Sequence, residues 1–69
     1  MRMRVDAAAD AVYLDLTTAE IDSSEEVSPG IILDYDVSGN LVGIEILDAS
    51  QKAGAGNIFQ SVNLDMQAV

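Results

Sequence analysis

The chain has 69 residues, enough for one domain and too few for two, so the sequence predicts a single domain spanning residues 1–69. It contains no cysteine and no histidine, which excludes disulfides, Cys–His zinc sites and catalysis by a Cys–His pair. With 12 acidic residues against 3 basic ones the formal net charge is −9, and a chain so acidic is repelled by nucleic-acid phosphates and anionic lipids. We therefore expect no nucleic-acid partner, no membrane partner and no cofactor.

The apolar content is high for so short a chain. Hydrophobic residues make up 49% of the sequence and aromatic residues only 4%. A domain of this size buries only about 60% of the surface that its unfolded chain exposes. A small apolar chain of this kind either packs very well or shares a core with a second copy. The composition therefore favours self-association, most simply as a homodimer.

No targeting segment is expected at the N-terminus. Residues 1–6 alternate methionine or valine with arginine or aspartate, and no apolar run follows the two arginines. No stretch of the sequence approaches the ~20 consecutive apolar residues that a membrane helix needs. These features predict a cytoplasmic protein.

Two strands are predicted in the first quarter of the chain. Residues 1–6 alternate apolar with charged side chains, and in residues 12–17 Val12, Leu14 and Leu16 alternate with more polar positions. This is the period of a half-buried strand. The intervening Asp-Ala-Ala-Ala-Asp at residues 6–10 is too short for a stable helix. We predict a hairpin connection there.

Residues 18–29 are polar and acidic and end in Pro-Gly, which predicts a long loop. A short edge strand is expected around residues 25–27. Glu25 and Glu26 would then discourage the edge from pairing with other chains.

Residues 30–47 carry the strongest pattern in the sequence. Two β-branched runs, at residues 31–33 and 42–46, flank Asp-Val-Ser-Gly at residues 36–39, which is typical of a type I turn closed by a bulge. Pairing Asp36 with Asn40 sets a register with two apolar faces, as expected for central strands covered on both sides. One face would carry Ile32, Val42, Ile44 and Ile46, and the other Ile31, Leu33, Tyr35, Leu41 and Leu47.

The end of the chain is predicted to hold a short helix followed by a final strand. After a flexible Gly-Ala-Gly at residues 54–56, Ile58, Phe59 and Val62 suit a helical turn. Val62, Leu64 and Met66 then alternate as in a strand. With the preceding elements, the predicted fold is α+β and mostly β: a small antiparallel sheet of four or five strands in meander order with one short helix.

Several motifs resemble those of a known family. They are D-A-A-A-D-A-V-Y-L at residues 6–14, S-E-E-V at 24–27, P-G at 29–30 and I-L-D-Y-D-V-S-G-N-L-V-G-I-E-I-L-D-A-S at 32–50. In this order, over roughly residues 1–50, they resemble the YuzE-like family of small bacterial proteins of unknown function. The resemblance implies a small α+β domain with an antiparallel sheet. Because some relatives accompany toxin-like ribonuclease folds, it also implies an antitoxin or binding role, and it carries no catalytic residue set.

A calcium site is one interpretation of the hairpin turn. Asp34, Asp36, Ser38 and Gly39, followed by Glu45, have the spacing of an EF-hand loop. Such a loop needs flanking helices, whereas both flanks here are β-branched, and the predicted register puts Glu45 on the opposite face from Asp34 and Asp36. We therefore interpret Asp36 and Gly39 as turn residues, and we keep Asp34 and Asp36 as weak candidates for a cation site.

The remaining candidates concern protein binding. Close carboxylate pairs are inevitable among 12 acids and form no catalytic constellation, so we predict that the protein is not an enzyme. Tyr13 or Tyr35 could supply an apolar anchor, and Glu25 and Glu26 a negative field that attracts a cationic protein. The sequence therefore favours a non-enzymatic protein-interaction module with a basic partner, antitoxin-like as the family resemblance implies. The alternative is a small metal- or ligand-binding module that uses the Asp34–Asp36 turn edge.

Overall fold

The computed structural model describes residues 1–68, and five strands and one short helix form from them. In chain order these are β1 (Arg2–Asp6), β2 (Ala11–Asp15), β3 (Ser23–Ser28), β4 (Ile31–Tyr35), β5 (Leu41–Leu47) and α1 (Ala49–Ala53). All neighbouring strands pair antiparallel. The mostly β composition is confirmed, and so is the edge strand around residues 25–27, which is longer than predicted. Val69, the last residue of the predicted domain, lies outside the described residues.

The strand order corrects the predicted meander. The sheet runs β1-β2-β5-β4-β3, so the chain leaves β2, crosses to the far edge and returns through two hairpins until β5 pairs with β2. Three hairpin-linked strands with a fourth strand placed beside the last of them form a Greek key. A meander would put the acidic β3 in the centre and the apolar β5 at the edge. The observed order places β5 between two partner strands and leaves the charged β3 at the edge. Charged side chains there discourage the unpaired backbone groups from pairing with another chain.

The C-terminal prediction is wrong in both of its parts. The helix forms over Ala49–Ala53, whereas Ile58 and Phe59 lie in a turn and residues 61–68 form no regular structure. Gly54 ends the helix in the left-handed region at φ 66°, a conformation that glycine adopts at little cost. An alternating segment becomes a strand only when another strand satisfies its backbone groups, and no strand of residues 1–68 pairs with this one. No helix within residues 1–68 has the length and apolarity to cross a membrane.

Asp10 ties α1 to the turn between β1 and β2. Its backbone carbonyl accepts a hydrogen bond from the Ala49 amide at 2.9 Å. Its carboxylate accepts one from the Ser50 amide at 2.9 Å and one from the Ser50 hydroxyl at 2.7 Å. Asp6 closes the same turn by accepting from the Ala9 amide at 3.0 Å. The predicted hairpin connection at residues 6–10 is confirmed, and it also anchors the helix.

The predicted hairpin turn between β4 and β5 is confirmed. The Asp36 amide donates to the Asn40 carbonyl at 2.9 Å, and the Asp36 carboxylate accepts from the amides of Asn40 and Ser38, each at 2.9 Å. The Asn40 backbone bond, above all, favours the ionised carboxylate and lowers the pKa of Asp36. Gly39 takes the left-handed conformation at φ 81° that the end of this turn requires.

The register beyond the turn differs by one residue from the predicted register. A bulge lies between the pairs Asp34–Gly43 and Tyr35–Leu41, where β5 holds one residue more than β4. A shift of one residue exchanges the faces of a strand, because side chains alternate. Ile31 and Leu33, rather than Ile32, therefore share a face with the isoleucines of β5.

The shift gives the sheet one apolar and one polar face, where two apolar faces were predicted. By alternation and pairing, the apolar face carries Met3, Val5, Val12, Leu14, Ile31, Leu33, Tyr35, Val42, Ile44 and Ile46, with Ser23 and Glu25 of β3 at its outer edge. The polar face carries Arg2, Arg4, Tyr13, Asp15, Ser24, Glu26, Ile32, Asp34 and Glu45.

Little of the apolar side is buried. Among the described residues the buried hydrophobic ones are Ala11, Val42 and Ala49, and no large side chain is fully enclosed. Within residues 1–68 all five strands lie in one sheet, and Met3 and Val5 on its apolar face remain 45% and 40% exposed. The chain therefore presents a single-layer sheet with an open hydrophobic side.

Gly43 allows the strands to approach closely at the centre of the sheet. A Cβ at this position would lie 2.8 Å from the Leu14 carbonyl oxygen. Gly43→Ala is therefore expected to lower the free energy of unfolding by about 1–3 kcal/mol, since overpacking forces backbone shifts. Urea denaturation measures the change. Gly56→Ala is the control, because a Cβ there meets nothing within 4 Å, and it should leave stability unchanged or raise it by up to about 1 kcal/mol. Equal losses in both variants would contradict the close approach.

Candidate functional site

A buried carboxyl group lies in the middle of the polar face. Asp34 of β4 is 4% exposed and pairs with Ser24 of β3 on one side and Gly43 of β5 on the other. The Ser24 hydroxyl donates to Asp34 Oδ1 at 2.6 Å. The side chain of Glu45, a diagonal neighbour on β5, lies on the same face and interacts with the Asp34 carboxyl group. Two neighbouring acidic side chains disfavour having both groups charged.

The Asp34–Glu45 pair changes the titration of Glu45. The hydrogen bond with Asp34 raises the pKa of Glu45, and burial and the negative charge of Asp34 act in the same direction. The positive charge of Arg4 opposes them. A carboxyl group with a raised pKa could serve acid–base chemistry, but such chemistry needs a substrate cleft beside it. Two cavities of about 340 Å³ flank residues 17–22, and the lining of neither includes Asp34 or Glu45.

The pair also corrects the argument against a calcium loop. Glu45 lies on the same face as Asp34, not on the opposite one, because of the bulge. The two weak cation-site candidates are nevertheless engaged separately: Asp34 is bound to Ser24, whereas Asp36 accepts the amides of the turn. Within residues 1–68 no three acidic residues are placed to hold a metal ion together.

Arg4, Tyr13 and Asp15 form a second cluster on the polar face. Arg4 Nε lies 3.0 Å from Asp15 Oδ2, and Arg4 Nη2 lies 3.2 Å from Asp15 Oδ1. This fork holds the guanidinium carbon 4.7 Å from the centre of the Tyr13 ring, a cation–π contact. The hydrogen bond to Asp15 is the main cause that raises the pKa of Arg4. Tyr13 is therefore partly covered by its own chain.

The four residues predicted to bind a partner do not form one cluster. Tyr13 lies on β2 and Tyr35 on β4, with β5 between them. Glu25 and Glu26 are exposed neighbours on the edge strand β3, so their side chains point to opposite faces. Tyr35 pairs with Ser23 at the start of β3 and is the tyrosine nearer to the acidic edge.

Reasoning from sequence does not single out Ser24 or Arg4, and it notes Glu45 only for the EF-hand spacing, on the opposite face from Asp34. Ser24 and Arg4 look like ordinary solvated strand residues until the pairing is known. The one available signal is Gly43, because a glycine inside a strand often marks a bulge. A bulge placed there shifts the register and brings Glu45 onto the face of Asp34.

Glu45→Gln tests the carboxyl pair, because it keeps the shape and removes the charge. A raised pKa means that the folded chain binds the Glu45 proton more tightly than the unfolded chain does. Its contribution to stability is therefore complete below the ordinary glutamate pKa and is lost as the pH rises through the raised value. We expect Glu45→Gln to be more stable than the native chain at pH 7, and to flatten the decline in stability above about pH 4.5.

Urea denaturation between pH 4 and pH 8 measures this effect. The exposed Glu25→Gln is the matched control, because it removes the same charge from the edge strand, and it should leave the pH profile in place. A Glu45→Gln chain that is no more stable than the native one at pH 7 would contradict the pair.

One comparison with known proteins covers the part of the chain that forms the sheet. The model of a family described as "Protein of unknown function (DUF2283)" matches residues 2–50, a range that includes all five strands. No curated protein and no solved structure matches the chain. The family match indicates no enzymatic family, and nothing in it confirms the YuzE-like name. Because the match spans well over half of the sequence, the chain belongs to the DUF2283 family, a small domain of unknown function.

Proposed function

We propose that this protein is a non-enzymatic protein-interaction module that works as a homodimer, with the apolar face as the surface where two copies meet. Its accessible surface carries the proposal. The chain exposes 5183 Å², whereas a folded monomer of 7.3 kDa is expected to expose about 4,200 Å². The excess of about 1,000 Å² is close to the ~800 Å² that each partner contributes to a standard interface.

Two parts of the chain leave apolar side chains accessible. One is the apolar face, where Leu14, Leu33, Ile44 and Ile46 are only half-buried. The other is the exposed segment of residues 60–68. An aliphatic surface of this size suits a second sheet packed face to face, at the ~10 Å spacing of sheet sandwiches. A two-fold axis would cover the same patch on both copies at once.

Such a dimer leaves both polar faces and the acidic loops directed outward. Glu20, Asp22 and Glu26 are exposed, Glu25 lies at the outer edge of the apolar face, and the Arg4–Asp15 bridge is the one ion pair found in residues 1–68. A concentration of unneutralised carboxylates favours a cationic protein as partner and speeds its encounter. A ribonuclease carries a basic surface for RNA. An antitoxin-like role, in which the acidic edge covers that surface, is the specific form of the proposal.

Tyr13 is the better of the two predicted anchors for this partner. It lies on the outward polar face beside Arg4, whereas Tyr35 alternates with Asp34 and lies on the apolar face that the homodimer covers. An aromatic anchor next to charged residues is a common arrangement in interfaces. The alternative of metal or ligand binding at the Asp34–Asp36 edge gains no support, because these two carboxylates serve separate parts of the hairpin.

A charge introduced on the apolar face should weaken the homodimer strongly. Leu14→Lys is expected to raise the dimer Kd by at least about tenfold, because its cross-strand neighbours Met3 and Ile44 are apolar and an unpaired ammonium group is costly to bury. Sedimentation equilibrium measures it, and circular dichroism checks that the sheet persists. Val37→Lys, at a turn position that is 83% exposed, is the control and should dimerise normally.

A second measurement tests the dimer on the native chain, so its result does not depend on whether a variant folds. The thermal midpoint of the native chain should rise with protein concentration, as it does for a dimer that unfolds to monomers. A native chain that sediments as a 7.3 kDa monomer throughout the micromolar range would refute the dimer.

Binding of a basic protein through the β3 edge should be sensitive to salt. A pull-down from the native host should retain a basic protein at low salt and release it at high salt. Glu25→Gln with Glu26→Gln should abolish retention, since both carboxylates are exposed on the edge. Asn57→Lys with Gln60→Lys is the control, because it changes the net charge equally at a distant segment. Equal losses in both double variants would show that net charge, and not this edge, is responsible.

A further inference from the structure

Residues 61–67 have the pattern of a strand but lack a partner strand. Val62, Leu64 and Met66 alternate with polar residues and are 56%, 74% and 90% exposed. Large hydrophobic side chains exposed at every second position are typical of a strand that pairs elsewhere. We call residues 61–67 the C-terminal arm. It lies outside the residues 2–50 that the family match covers.

The sheet offers two edges to such an arm, and they differ in charge. β3 carries Glu25 and Glu26 and a bulge before Ser28, features that discourage an added strand. β1 pairs with β2 in a regular register along its whole length. Its outward edge belongs to a strand with Arg2 and Arg4. The arm carries Asp65, so β1 attracts it and β3 repels it.

We propose that the C-terminal arm of one copy pairs with the β1 edge of a second copy, so that two chains exchange arms as sixth strands. This inference rests on the proposed homodimer and names the edge that joins its subunits. Within one chain the arm stays undocked, with Met66 almost fully exposed. A second copy supplies the complementary edge, and two-fold symmetry forms each contact twice.

The apolar side chains restrict the register. Antiparallel pairing that keeps hydrophobic residues on the apolar face places Val62 opposite Val5 and Leu64 opposite Met3. Met3 and Val5 are 45% and 40% exposed in the single chain, so both have surface left to bury. The arm would therefore extend the open apolar face by one strand.

The charges then select between the remaining registers. In the register above, Asp65 lies opposite Arg2, and a shift of two residues would place it opposite Arg4. Arg4 is already bound by Asp15, whereas Arg2 has no ion-pair partner within residues 1–68. Opposite charges directly across two strands stabilise the pairing, and like charges destabilise it. We assign Asp65 to Arg2.

A mixing experiment with two full-length variants distinguishes exchange between chains from pairing within one chain. Arg2→Glu and Asp65→Lys each create two like-charge contacts per dimer and should each raise the dimer Kd by about tenfold. In an equimolar mixture, both contacts of the mixed dimer again join opposite charges. The mixture should therefore associate with nearly the native Kd, measured by sedimentation equilibrium.

The outcomes separate this inference from the homodimer itself. Rescue on mixing supports arm exchange, because pairing within one chain would leave each mismatch in place. A native dimer whose Kd neither variant changes, or whose loss is not rescued by mixing, overturns arm exchange and leaves the face-to-face dimer standing. A monomeric native chain overturns both. Glu20→Lys, which changes net charge as Asp65→Lys does, is the control and should not weaken the dimer.

A cross-link tests the register independently. The chain has no cysteine, so Val5→Cys and Val62→Cys provide single thiols at the two facing positions. Oxidation of a mixture of the two variants should yield a disulfide-linked mixed dimer. The pair Val5→Cys and Val37→Cys should not cross-link, and equal yields from both pairs would overturn the register.

Discussion

β5 joins the two halves of this sheet. Within residues 1–68 β1 pairs with β2 and β3 with β4, and the strand that pairs with both β2 and β4 is β5. Gly43 marks the crossing point, because it pairs with Asp15 on one side and Asp34 on the other. The absence of a side chain at this residue lets β2 approach closely, and a sheet with so little enclosed hydrophobic volume depends on that close contact.

The bulge beside Tyr35 determines the character of both faces. By shifting the register of β4 against β5 it collects aliphatic residues on one side and brings Asp34 to Glu45 on the other. Without it, Leu33 would leave the aliphatic side and Asp34 would lose its neighbour. One irregular residue thus separates a surface suited to hydrophobic association from a surface suited to charge.

Local patterns in the sequence predict the elements better than their arrangement. The alternation in residues 1–6 and 12–17, and the Asp36–Gly39 turn, identify β1, β2 and the last hairpin because these signals depend on neighbouring residues alone. Strand order depends on which edge must be protected, so the charges of Glu25 and Glu26 explain the order only once the sheet is known. The pairing of Asp34 with Glu45 requires the exact register. The arm around Leu64 has the period of a strand, but a strand forms only where a partner exists, and the sequence of one chain does not contain that information.

The tie between Asp10 and Ser50 has a consequence for how the family domain connects to the C-terminal part of the chain. Three hydrogen bonds from residues 49 and 50 to Asp10 fix the place and direction in which the chain leaves the sheet. Ser50 is also the last residue of the family match. The residues after Ser50 therefore start from a fixed position on the sheet, and their number or composition can change without strain on the strands. A domain built in this way can keep one scaffold while the segment that follows it changes.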